Sequence, residues 1–381
     1  MRFGSRRMIS VAVATVVLCL FSAVLASGQA GDKPQMAEEV FKNVPALKGI
    51  PVDEFMDTMG MIAAALSMNC VDCHTKDSVD KWENFANDTP LKRRARGMIE
   101  MVNGINKANF GGRRMVTCYT CHRGDRSPKV EPSLTVQYGA PVDDPQDVLI
   151  PAGGLPGAPA ADQVFDKYIQ ALGGAQRVAA MTSWVAKGTW AGYDTDQAKA
   201  PVEIYAKAPN MRALNIHANF GESVRTFDGR AAWIASADRP VPLMPLTAGN
   251  LDGAKVDATL QFPSQIKGAF ATWKVGMTTI DDKEVTVLQG TNPGKTSVNL
   301  YFDESGLLVR ALRHSVTLIG TVPTQYDFSD YRVIGGVKFP YKWLITWTDG
   351  QSKVELSDVQ MNVPIDSAKF AKPAPAPPIK Q

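Results

Sequence analysis

Apolar and polar positions change their spacing several times along the 381-residue chain. Residues 8–26 form an uncharged, largely apolar run behind Arg2, Arg6 and Arg7, closed by the small residues Ala26, Ser27, Gly28 and Ala30. That is the layout of an export signal, with an uncleaved N-terminal anchor as the alternative. From 31 to 127 apolar residues recur near every 3.6 positions with few β-branched runs, which predicts helices. Residues 128–160 hold seven prolines and Gly153-Gly154 without a period, which predicts an extended linker. Val164, Tyr168 and Leu172 then mark one face of a helix that ends at Gly173-Gly174, and a short apolar stretch follows to Met181. Beyond it, alternating segments lie between turn signals: Asp228-Gly229, Asp281-Asp282, Asn292-Pro293-Gly294, Glu304-Ser305-Gly306, Gly335-Gly336 and Asp349-Gly350. These predict antiparallel hairpins. The Pro-rich tail 373–381 reads as disordered.

The expected organisation is therefore a multidomain α + β chain. It has a signal segment (1–30), a small helical module (31–127), a linker (128–160), an antiparallel β module with N-terminal helices (161–372) and a tail. An apolar fraction of 45% and a charged fraction of 21% fit globular modules and exclude a wholly disordered chain. A net charge of +3 is too small to imply nucleic acid as a partner. Residues 1–30 carry three arginines and no acid, so removing them takes 41 basic against 38 acidic side chains to 38 against 38. Cys19 leaves with the same segment, and four of the five cysteines remain. The expected location is the periplasm, soluble after cleavage or anchored at the N-terminus without it.

Those four cysteines carry the strongest chemical signal. Cys70-Val71-Asp72-Cys73-His74 is repeated as Cys118-Tyr119-Thr120-Cys121-His122. Two thiols three apart on one short turn reach both vinyl groups of a haem, and the adjoining histidine is held under the iron. A zinc site would leave each histidine unexplained, two disulfides would leave both idle, and a redox-active pair would want a βαβ setting. The reading is two haem c groups, covalently held by Cys70, Cys73, Cys118 and Cys121, with His74 and His122 as axial ligands. A helix precedes each motif. One presents Phe55, Met59, Ile62 and Leu66, the other Met98, Met101, Val102 and Ile105, and Met56, Met61, Met68 and Met115 are close by. Spacing alone leaves the sixth ligand open among these methionines.

The stretch from Val40-Phe41-Lys42-Asn43 to Cys121-His122-Arg123-Gly124 resembles one half of the cytochrome c subunit of photosynthetic reaction centres, closest in style to dihaem relatives. In that family each unit is a helix, a turn and CxxCH, with the distal methionine on the helix. Glu54-Phe55-Met56-Asp57-Thr58-Met59 matches the family's run and implies Met59. Arg96-Gly97-Met98 with Asn106 at the matching place implies Met98. The resemblance implies electron transfer, and with two haem units rather than four it does not imply delivery to a photo-oxidised pigment. Charge adds a partner: residues 31–91 hold 5 basic and 11 acidic side chains, and 92–126 hold 9 and 2. Lys92, Arg93, Arg94 and Arg96 either neutralise the haem propionates or steer an acidic redox protein.

Residues 161–372 resemble the LolA-like lipoprotein-sorting β module, through Ala171-Leu172-Gly173-Gly174, Val202 to Pro209, Phe302 to Leu308, Asp330-Tyr331-Arg332 and Phe339-Pro340. The resemblance implies a curved, half-barrel antiparallel sheet and raises an apolar or lipid-like ligand beside a plain scaffold role. His217 and His314 fall in predicted strands without metal-ligand spacing and read as structural. The alternatives to an electron carrier are a haem enzyme, peroxidase-like or quinol-oxidising, and an envelope binding protein.

Overall fold

The computed structural model describes residues 33–139, 148, 150, 151 and 155–378. The expected signal segment lies outside the described residues. Helices come first: α1 Ala37–Val40, α2 Val52–Leu66, α3 Cys70–Cys73, α4 Pro90–Phe110, α5 Cys118–His122 and α6 Leu134–Tyr138. The long helix α4 has both of its ends written in the sequence. Thr89 caps the Lys92 N–H, Pro90 occupies the first turn where its missing donor costs nothing, and Gly111 takes the left-handed conformation at the end.

Two helices, α7 Ala161–Leu172 and α8 Ala175–Ala179, introduce the sheet. Its first strands are β1 Ser183–Gly192, β2 Ala200–Lys207, β3 Met211–Ala218, β4 Gly221–Phe227, β5 Ala232–Ser236 and β6 Met244–Pro245. After α9 Ala248–Thr259 and α10 Pro263–Ile266 come β7 Thr272–Ile280, β8 Lys283–Thr291, β9 Val298–Phe302 and β10 Leu308–Thr317. The last are β11 Gly320–Ile334, β12 Val337–Trp347 and β13 Gly350–Met361. The order is β6-β5-β4-β3-β2-β1-β13-β12-β11-β10-β9-β8-β7, with every neighbouring pair antiparallel. The first and last strands meet in the middle, so β6 and β7 are left as edges and the sheet stays unclosed.

Five of the six turn signals fall between strands and Asp349-Gly350 leads into β13, and the alternation in β2 is the burial pattern of a sheet with one covered face. That face buries Trp184, Trp190, Ile204 and Phe302 together with Phe165, Tyr168 and Leu172 of α7 and Ile266 of α10. The cleft between Leu172, Leu260, Phe328, Tyr331 and Trp343 has a volume of about 40 Å³, room for a few waters.

Three segments differ from the sequence expectation. Helix α9 carries Gly249 and Gly253 and no apolar stripe, so its pattern does not announce a helix. The two glycines let it lie on β10, where a Cβ would come within 2.9 Å of Val316 N and 2.5 Å of the Arg313 guanidinium. Arg313 in turn forms a bidentate pair with Asp257 of α9 (2.7 and 3.0 Å). Within the expected linker, Ser133 caps the short helix α6, and Ile150 lies against β7 at Gly276. The tail is tied as far as Ala376, whose N–H donates to Pro242 O.

The helices and the sheet form one compact unit from Pro34 onwards. Asp53 of α2 is 2% exposed and caps α9: its carboxylate accepts from Thr247 N (2.6 Å), Thr247 Oγ1 (2.8 Å) and Asn250 Nδ2 (3.3 Å). An anion at a helix N-terminus satisfies otherwise orphaned donors. Asp53→Ala is expected to cost about 2 kcal/mol of stability, read from urea denaturation.

One turn along the same face, burial pushes the Asp57 carboxyl up to about 7, against hydrogen bonding from Asn250. Between its ordinary value and about 7 the folded chain holds a proton that the unfolded chain releases, so stability falls as pH rises through that window. Asp57→Asn is expected to flatten that slope, seen as a smaller loss of denaturation midpoint between about pH 5 and about pH 8.

Candidate haem-binding site

Each CxxCH segment is a single helical turn closed by a reciprocal cap. In α3, Asn69 Oδ1 accepts from Asp72 N (3.1 Å) and Asp72 Oδ2 accepts from Asn69 N (2.8 Å). In α5, Thr117 Oγ1 accepts from Thr120 N (3.4 Å) and Thr120 Oγ1 accepts from Thr117 N (3.0 Å). Asp72 and Thr120, the residues before the second cysteine of each motif, therefore fix the turn that sets the spacing of the two thiols. The sequence contains this signal as Asn-x-x-Asp and Thr-x-x-Thr, though it hides behind the more conspicuous cysteines.

All four cysteines are free thiols, Cys70 and Cys121 exposed and Cys73 and Cys118 half-buried. His74 Nδ1 lies 3.2 Å from Phe85 O, with Phe85 packed edge-on against the ring, and His122 Nδ1 lies 3.0 Å from Asp125 O. A ring N–H spent on a backbone carbonyl fixes the tautomer and leaves Nε2 as the ligating nitrogen. Burial, then the nearby Lys92 ammonium, holds the His74 imidazole below its ordinary pKa and so in the neutral form that ligation needs.

The approach to α5 is set by Asn106, only 5% exposed. Its Nδ2 donates to Val116 O (2.7 Å) and its Oδ1 accepts from Met115 N (3.0 Å) and Val116 N (2.9 Å). This side chain completes a backbone pair that the turn itself lacks. It pins the end of α4 to the strand-like segment entering the second motif.

The two methionines implied by the family resemblance sit in different surroundings. Met59 is half-buried in the apolar cluster that holds Met61, Ile99, Ile319 and Cys118. Helix α2 packs on α5, so the helix before the first motif lies along the second. Met98 belongs to the outward face of α4: Ile99 and Val102 are buried, whereas Met98 is 41% and Met101 47% exposed. Near the second motif, Met115 and Tyr119 are also exposed. A soluble surface seldom gathers such residues without something to cover them. Free paired thiols, a carbonyl-anchored imidazole and these exposed apolar side chains fit haem c.

Of the basic cluster, Lys92 turns inward, donating to Phe85 O (2.7 Å) and Asn87 O (2.8 Å). Arg96 pairs with Asp88 (2.8 Å), while Arg93 and Arg94 stay exposed. His217 pairs with Glu222 (2.8 Å), and His314 Nδ1 faces Ser297 O (3.4 Å). Among the described residues no helix is long and apolar enough to cross a membrane.

Residues 21–137 match the family model of the photosynthetic reaction centre cytochrome C subunit. Photosynthetic reaction center cytochrome c subunits from Rubrivivax gelatinosus and Thermochromatium tepidum are 35% identical over 112 residues and 38% over 98. A third, from Roseobacter denitrificans, is 30% identical over 101 residues. These alignments take in 28%, 24% and 25% of this chain and only 29%, 23% and 27% of the relatives' own length. The similarity is thus to a c-type cytochrome, a haem c family, and the family match spans residues 21–137. A LolA superfamily protein from Nitrosomonas europaea superposes on 56% of the chain and 99% of its own, with 15% identity and a TM-score of 0.38. A DUF1329 family protein from Desulfovibrio piger superposes on 56% and 98%, with 9% identity and a TM-score of 0.37.

Proposed function

We propose that the chain is a periplasmic dihaem c-type cytochrome, an electron carrier rather than an enzyme. The observation that carries this reading is the duplicated turn: two free thiols and a histidine whose Nδ1 is engaged by a backbone carbonyl, present twice. Cys70 and Cys73 would hold one haem with His74, and Cys118 and Cys121 the other with His122. Met59 and Met98 are the proposed sixth ligands. Bound haem supplies the Fe(II)/Fe(III) couple. The chain's own part is to fix the imidazoles, cover the macrocycle with apolar side chains and place charge around it. A pyridine haemochrome assay on protein matured in a haem-attaching host tests the reading; covalent haem at two per chain is the expected result, and its absence would sink it.

Arg93 and Arg94 are the exposed part of the basic cluster and the proposed landing point for an acidic redox protein. Charge reversal at both is expected to slow bimolecular electron transfer to an acidic partner by about 10-fold at low salt, with little effect at high salt. Stopped-flow rates across a salt series measure this. The β module serves as the scaffold on which the helical segment is mounted.

A further inference from the structure

The carbonyls that anchor the two histidines are not alike. His122 Nδ1 faces Asp125 O (3.0 Å), and among the described residues no second side chain donates to that oxygen. His74 Nδ1 faces Phe85 O (3.2 Å), and the same oxygen accepts from the Lys92 ammonium at 2.7 Å. A carbonyl oxygen has two lone pairs and can hold both donors at once. The first imidazole therefore stands one shared atom away from a positive charge.

Local structure fixes this sharing. Trp82–Ala86 form a short 3-10 turn after the first motif. The Phe85 ring packs edge-on against the His74 ring, with centres 4.9 Å apart, and lies 5.1 Å from the Trp82 ring, so the turn is held against the imidazole. Thr89 Oγ1 donates to Cys73 O (2.6 Å) and accepts from Lys92 N (3.1 Å), which ties the start of α4 to the residue before the histidine. From that first turn the half-buried Lys92 side chain reaches back, and a second bond, to Asn87 O (2.8 Å), steadies the ammonium. Its charge is not spent on an acid. Among the described residues no carboxylate lies within ion-pair distance of it, and the adjacent Asp88 is taken by Arg96 (2.8 Å) and Asn43 (2.9 Å).

We propose that Lys92 raises the potential of the His74 haem through the Phe85 carbonyl that its ammonium shares with the imidazole. The proposal rests on the dihaem reading above, and Lys92 is a positioning residue in it, not a ligand. A carbonyl left to the imidazole alone draws the Nδ1 proton and makes the ring a stronger donor to iron, which favours the ferric state. An ammonium on the same oxygen weakens that pull, and its charge also opposes the more positive ferric iron. Both effects favour the ferrous state at the first site, and the His122 carbonyl has no such second donor.

The test is a redox titration of the full, haem-loaded chain, with haem counted per chain and the urea denaturation midpoint taken for every variant. Lys92→Met keeps the unbranched stem and loses the ammonium. It is expected to raise the ferric-to-ferrous ratio of one haem about tenfold at a fixed solution potential, a fall of about 59 mV in that midpoint potential, and to leave the other haem unmoved. The haem missing from the Cys70→Ser, Cys73→Ser chain identifies which potential belongs to the first site. If Lys92→Met moves neither potential, moves both alike, or moves only the second-site one, the proposal is overturned. A lowered denaturation midpoint with unmoved potentials overturns it as well, because Lys92 would then be a structural tie alone. Should Lys92→Met be recovered unfolded, Lys92→Gln, which keeps a donor and loses the charge, is expected to lower the same potential. A wild-type chain without two covalent haems would overturn the dihaem reading itself; two haems with unmoved potentials would overturn only this inference.

Discussion

Replacing Cys70 and Cys73 by serine is expected to halve the covalent haem, from the proposed two per chain to one, and replacing Cys118 and Cys121 to do the same at the other proposed site. With all four replaced, no pyridine haemochrome signal is expected to survive in denatured protein. The reason is chemical: without the thioether bonds a haem is held only by axial ligation and packing and is extracted on denaturation. The loss at the second site is expected to cost more stability. Cys118 lies in the cluster with Met61, Ile99 and Ile319, whereas Cys70 is exposed. A haem there would also cover Tyr119, which is otherwise left to water.

The second large effect concerns the sixth ligand. Met98→His is expected to lower one midpoint potential by the order of 0.1 V, because an imidazole stabilises ferric iron relative to a thioether. Met59→His is expected to do so at the other haem. Each change should remove half of the red-end sulfur-to-iron absorption of the oxidised protein. Met101→Leu and Met61→Leu are the controls and should leave both potentials and the band in place. Met101 is the more stringent control: it shares the outward face of α4 with Met98 and is equally exposed. If Met101→Leu removed the band and Met98→His did not, the ligand assignment would pass to Met101.

Much of this fold is legible in the sequence, because its signals are local. A CxxCH turn is five residues long, and its caps are three residues apart, so nothing distant is needed to form it. The hairpin signals were equally local: Asp281-Asp282 places two residues at positive φ, and Glu304-Ser305-Gly306 ends in another. Asn106 was visible only as a match to a family pattern. The structure supplies its physical role, since a buried amide that satisfies Met115 N, Val116 N and Val116 O cannot be inferred from the residue type.

What escaped was whatever depends on contact between distant segments. The β10–β11 turn has Leu318-Ile319 where a turn signal would be expected, because its tip faces an apolar cluster on α2 and not water. Helix α9 has no apolar stripe: it meets β10 through glycines and the Asp257–Arg313 pair, and only Leu251, Ala254, Val256 and Ala258 reach apolar clusters. Lys92 and Arg93 look alike in the sequence, yet one is spent on the carbonyls of Phe85 and Asn87 and the other is exposed. The amino-acid order alone determined the two haem-type turns, the helix-then-sheet succession and most hairpins, since each follows from spacing within a few residues. Only the tertiary structure decided that helices and sheet share one unit, with Asp53 capping α9 and two hairpin tips set against α2. Those contacts join residues nearly two hundred and more positions apart, where side-chain burial and charge, and not local propensity, select the partner.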